Sequence, residues 1–171
     1  NLDNPQWRIF GVCWNGIDFI KKGKKIAEIE ARENIIENIK QELKKEFEDR
    51  RPIGNAIYDD TNGIYFTFPE LEDNSEELAR KCAEKALEII YRKSSNELWP
   101  FFILSKASTT ISTIAEELKF ASEKRKIPKM SPVLFVEGKE IETFENPEIA
   151  TPYEGQDICP ICKIRPKDTQ K

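Results

Sequence analysis

The chain has 171 residues, 39% hydrophobic and 10% aromatic, with 27 basic and 31 acidic side chains and a net charge of −4. No apolar run approaches the roughly 20 residues of a membrane-spanning helix, and no stretch reads as a secretory signal peptide. With no histidine, Ser-His and Cys-His nucleophiles and His-ligated metals are ruled out within the chain, and a pI near 5.2 argues against a free-standing nucleic-acid binder while leaving room for one local basic groove.

Trp7–Trp14 is aromatic and β-branched and reads as a buried strand. Asn15-Gly16 turns the chain into a helical pattern from Ile17 to about Asp49, with Ile20, Ala27, Ala31, Ile35, Ile39, Leu43 and Phe47 as its apolar stripe. Gly23, inside Lys21–Lys25, marks a break in that pattern, and Arg50, Arg51 and Pro52 end it. Ile53–Asp60 and Ile64–Phe68 are short β-type runs around Asn62-Gly63, a pair suited to a type I′ hairpin turn. Asn74 or Ser75 can cap a third helical stretch, whose stripe is Leu78, Cys82, Ala86, Ile89 and Ile90. Trp99–Leu104 is the next strand, started by Pro100. The order β-α-β-β-α-β predicts an α+β fold: a ferredoxin-like unit over residues 1–108, with an antiparallel sheet and helices on one face. A helix near Ile111–Lys126 and a hairpin around Glu137-Gly138 form an extension over 109–152, and residues 153–171 hold the start of a zinc-binding element.

Three places could carry chemistry. Asn15-Gly16 stands at a helix start, where backbone N–H groups can hold phosphate, although Asn-Gly also serves as a plain turn. Lys21, Lys22, Lys24 and Lys25 add charge beside it or form a solvated face. Asp59 and Asp60, before Asn62 and Gly63, form a carboxylate pair of the type that binds Mg²⁺ with substrate phosphates. Adjacent strand residues point to opposite faces, so both would reach one ion only where the strand is irregular; a solvated hairpin tip is the other reading. Cys159 and Cys162 form a Cys-x-x-Cys, half of a four-cysteine zinc site, with a redox pair or two free thiols as alternatives. Cys13 and Cys82 lie in apolar patterns and are poor completing ligands, and four cysteines so placed fit a reducing compartment. The chain opens on Asn1 and its one methionine is Met130, as expected of a piece of a longer protein.

Taken in order, the segments 14–20 (WNGIDFI), 54–69 (GNAIYDDTNGIYFTFP) and 159–166 (CPICKIRP) resemble the first palm domain of the large palm-domain subunit of type III CRISPR effector complexes, in its divergent Csx-type branch. The resemblance implies a larger protein with two palms that makes cyclic oligoadenylates from ATP with Mg²⁺ in antiviral defence, the catalytic motif lying in the second palm. It further implies a nucleotide-binding role for Asn15, Gly16, Asp59, Asp60, Asn62 and Gly63, zinc on Cys159 and Cys162, a cytoplasmic location, and partnership with the other subunits and, through them, guide and target RNA. Cys13 and Asn15 stand where active palms place carboxylates, and the aspartates precede Asn62-Gly63 whereas an active hairpin places its glycines first, so no catalysis is expected of this chain alone. The alternatives are an RNA-recognition module of the same β-α-β-β-α-β order, which needs exposed aromatics on its first and third strands, and a scaffold palm. Ile64, Phe66 and Phe68 share one strand face and read as core rather than platform.

Overall fold

A computed structural model describes residues 5–72, 74–110, 112–127 and 131–145. The elements are β1 (Trp7–Cys13), α1 (Gly16–Lys21), α2 (Ile26–Lys44), a π-helical turn (Lys45–Arg50), β2 (Ala56–Asp60), β3 (Gly63–Pro69), α3 (Ser75–Ser94), β4 (Phe101–Leu104), α4 (Thr113–Arg125), β5 (Val133–Val136) and β6 (Lys139–Thr143). The architecture is α+β: one six-stranded sheet in the order β2-β3-β1-β4-β5-β6.

β1 is central because it is apolar on both faces. Phe10 sits opposite Phe66 of β3 and Leu104 of β4, both pairs antiparallel. Strand alternation sends Phe10, Val12, Ile64, Phe66, Phe102 and Leu134 to one face. There they meet Ile36, Ile39 and Leu43 of α2, Phe47 of the π turn, and Ala79, Ala83, Ala86 and Ile90 of α3. Phe47 packs edge-on against Phe10 and Phe66, with ring centroids 6.0 and 5.3 Å apart.

The second face carries Ile9, Cys13, Tyr65, Phe101, Ile103 and Phe135, packed with Ala121, Ile114, Leu118 and Phe120 of α4. Within the first four strands the helices α2 and α3 share one face, as expected; α4, from the expected extension, covers the other face. α4 is the crossover between β4 and β5, and a parallel connection needs such a crossover. The first four strands are antiparallel, as expected, and the hairpin expected as an extension continues the same sheet through a parallel β4–β5 pair.

Two expectations change. The α2 stripe packs only from Ile35 onward, because Ile26, Ala27 and Ala31 are exposed. Asn62-Gly63 forms no type I′ turn: the loop residues are Thr61 and Asn62, neither with positive φ, and Gly63 already pairs with Asp60. The hairpin turn with two positive-φ residues is instead Glu137 (51°) and Gly138 (80°), which joins β5 to β6. Among the described residues no helix is long and apolar enough to cross a membrane.

Candidate functional site

The end of β1 and the tip of the β2–β3 hairpin meet, as the chain order requires. Trp14 donates from its backbone N–H to the Asn62 carbonyl and from its indole Nε1 to the Thr61 carbonyl, both at 2.8 Å. The Asn62 side chain is buried, and its Oδ1 accepts from the backbone N–H of Gly16 at 3.2 Å and of Ile17 at 3.3 Å. These are the N–H groups that sequence reasoning assigned to phosphate. Asn15 caps the same helix, its Oδ1 accepting from Asp18 N–H at 3.1 Å and its Nδ2 donating to Asp18 Oδ2 at 2.6 Å. Close approach explains both glycines: a Cβ on Gly16 would lie 1.8 Å from the Thr61 carbonyl oxygen, and one on Gly63 would lie 2.7 Å from that of Val12.

Asp59 and Asp60 point to opposite faces. Asp59 reaches toward α2, where it accepts from Lys40 Nζ and Lys44 Nζ, each at 2.9 Å. The Lys44 hydrogen bond, opposed by burial and reinforced by Lys40, holds the Asp59 carboxyl below the usual carboxylate range. Asp60 turns to the other face, accepting from Asn62 N–H at 2.7 Å and from the Tyr58 hydroxyl at 3.3 Å. The nearby Asp60 charge raises the Tyr58 hydroxyl pKa. The only irregularity in β2 lies between Ala56 and Tyr58, so Asp59 and Asp60 keep regular register opposite Ile64 and Gly63. One Mg²⁺ shared by both carboxylates does not fit this arrangement. Among the described residues no three Cys, Asp or Glu side chains come together as a metal site. Cys159 and Cys162 lie outside the described residues.

The second face holds a polar cluster that the sequence did not signal. Cys13 Sγ donates to the Tyr65 hydroxyl at 3.3 Å with both residues buried. Burial pushes the thiol up to about 12 and raises the phenol as well. From α4, Arg125 Nε donates to the Trp14 carbonyl at 3.1 Å. Burial, aided by the Glu116 charge and opposed by Lys106, pushes the Glu117 carboxyl up to about 7. A thiol and a phenol both kept neutral are not nucleophiles; they pack and hydrogen-bond. Only period-2 alternation along β1 and β3 hints that Cys13 and Tyr65 share a face.

At the opposite end of β1, Arg8 borders a cavity of about 450 Å³ lined also by Leu71, Leu104, Val136 and Ile141. Arg8 is already engaged by Glu70, by Glu137 at 3.0 Å and by the Ser105 carbonyl at 2.9 Å. Compared with known proteins, the chain matches no family model, no curated protein and no solved structure.

Proposed function

We propose that this chain is a scaffold palm: a non-catalytic palm domain of a type III CRISPR large subunit, acting in antiviral defence in the cytoplasm alongside the subunits that hold guide and target RNA. Support for the palm comes from the first four strands. Their spatial order β2-β3-β1-β4, with antiparallel neighbours and with α2 and α3 on one face, is that of a ferredoxin-like unit. Two of the three segments that suggested the family, those holding Asn15-Gly16 and Asn62-Gly63, also lie together in space.

One observation favours a scaffold over a nucleotide site. The Asn62 carboxamide already occupies the N–H groups of Gly16 and Ile17, and both aspartates are engaged within the chain. A phosphate would have to displace buried protein acceptors, and a Mg²⁺ ion would have to displace two lysines. The RNA-recognition alternative needs an open aromatic face, whereas Tyr65, Phe101 and Phe135 are buried against α4. The zinc element stays within the proposal on donor chemistry alone: Cys159 and Cys162 offer two thiolates, and a structural zinc takes four ligands.

Isothermal titration of the chain with ATP and Mg²⁺ tests the scaffold. The expected result is no heat beyond dilution. Any saturable ATP heat overturns it, and loss of that heat in Asp59→Ala or Asp60→Ala would place the nucleotide at the hairpin. Tagging the chain in its host cell tests the assembly: the other subunits of a type III effector and its guide RNA should co-purify, and their absence removes the CRISPR assignment.

A further inference from the structure

The turn between α1 and α2 carries the densest positive charge in the chain. Lys21, Lys22, Lys24 and Lys25 fall within five residues, and no other five-residue window holds four cations. All four side chains are exposed. Among the described residues none has a carboxylate within ion-pair distance, whereas Lys40, Lys44, Arg50 and Arg80 are all paired. The turn is held by the main chain: Gly23 N–H donates to the Ile20 carbonyl at 3.0 Å, and Lys24 N–H donates to Glu28 Oε2 at 2.7 Å. Asp18, the acid one turn before the lysines, is tied to Asn15. Two isoleucines stand at this elbow in solvent, Ile17 at 47% and Ile26 at 77% exposure.

We propose that this elbow is a contact site for single-stranded nucleic acid, the four ammonium groups neutralising backbone phosphates and Ile17 and Ile26 offering apolar surface to unstacked bases. The occupant follows from charge complementarity. Four exposed cations that form no ion pair among the described residues, on an otherwise acidic chain, define one local anion surface, and a flexible polyanion meets several of them at once. A membrane fits less well. Two exposed isoleucines fall short of the broad apolar face of an interfacial helix. The inference does not rest on the palm reading.

The test is anisotropy titration of the whole chain with a fluorescein-labelled oligouridylate over a salt series. Affinity should fall with salt at a log–log slope of about −1.4 to −2.8, the range for about two to four phosphates neutralised on a single strand. Reversing the four charges (Lys21→Glu, Lys22→Glu, Lys24→Glu, Lys25→Glu) should weaken binding at least about tenfold and flatten the slope. The control reverses four exposed lysines elsewhere (Lys45→Glu, Lys93→Glu, Lys119→Glu, Lys126→Glu), giving the same net charge. It should lose far less, and the milder pair Lys24→Ala and Lys25→Ala should fall between. No oligonucleotide binding by the wild-type chain at low salt overturns the proposal. So does an equal loss in the control, or binding to phosphatidylserine vesicles without binding to the oligonucleotide.

Discussion

Removing the Asn62 carboxamide tests the junction most directly. In Asn62→Ala the Asn62 carbonyl still accepts from Trp14, and the hairpin keeps its backbone ladder. What disappears is the acceptor for two N–H groups, the buried one of Gly16 and the partly buried one of Ile17. An unmade hydrogen bond at a buried donor costs about 1–3 kcal/mol, so two give about 2–4 kcal/mol once the length of both bonds is allowed for. Asn15→Ala removes the exposed cap of the same helix and should cost only about 0.5–1 kcal/mol. Urea unfolding followed by tryptophan fluorescence reads both, because Trp14 is buried at this junction. The expected order is wild type, then Asn15→Ala, then Asn62→Ala, with unchanged m-values. If Asn62→Ala unfolds within about 0.5 kcal/mol of wild type, its carboxamide is not what satisfies the start of α1. The argument against phosphate at that position then fails with it.

Gly16→Ala should be strongly destabilising. Its Cβ would sit 1.8 Å from a backbone oxygen that no rotamer change can move, so a loss of about 3 kcal/mol or more is expected in the same unfolding assay, and a wild-type midpoint would refute the close approach. Glu117 gives a pH dependence. Its carboxyl is raised from 4.5 to about 7 by burial, so its contribution is fully present below about pH 4.5 and is lost as the pH rises through about 7. Discounted for partial solvent exposure, the loss is about 1–2 kcal/mol. Glu117→Gln should abolish that dependence, so the gap between variant and wild type should widen in the variant's favour from about pH 5 to about pH 8; a constant gap would refute it.

The elements were legible wherever the signal is local. Aromatic and β-branched content gave β1 and β3 to within a residue or two, and the three-to-four spacing gave α3 from Ser75, where Asn74 is the cap residue but makes no side-chain capping bond. Propensity failed where a residue type serves a distant neighbour. Asn62-Gly63 has the composition of a type I′ turn, yet Gly63 is small because β1 passes within 2.7 Å of its missing Cβ, and Asn62 is polar because α1 needs an acceptor. The second face was hidden for a related reason. Of α4 only Ala121 is fully buried, and the half-buried Glu117 blurs the pattern that would mark a packed side.

The site divides along the same line. That Asn15-Gly16 and Asn62-Gly63 meet follows from topology, since a strand's end and the hairpin beside it lie at one edge of the sheet. Whether their polar groups are free to take a ligand depends on pairs separated by 46 residues for Asn62 and Gly16 and by 19 for Lys40 and Asp59, and no spacing rule carries that information. A motif thus locates polar groups without saying whether the fold has already satisfied them. Here the same buried amide that explains the glycine beside it also takes the place of an anion. The lysine elbow is the converse case: its ammonium groups are exposed and no carboxylate among the described residues is paired with them. Hydrogen-bond satisfaction therefore moves the expected anion contact from the start of α1 to the turn that follows it.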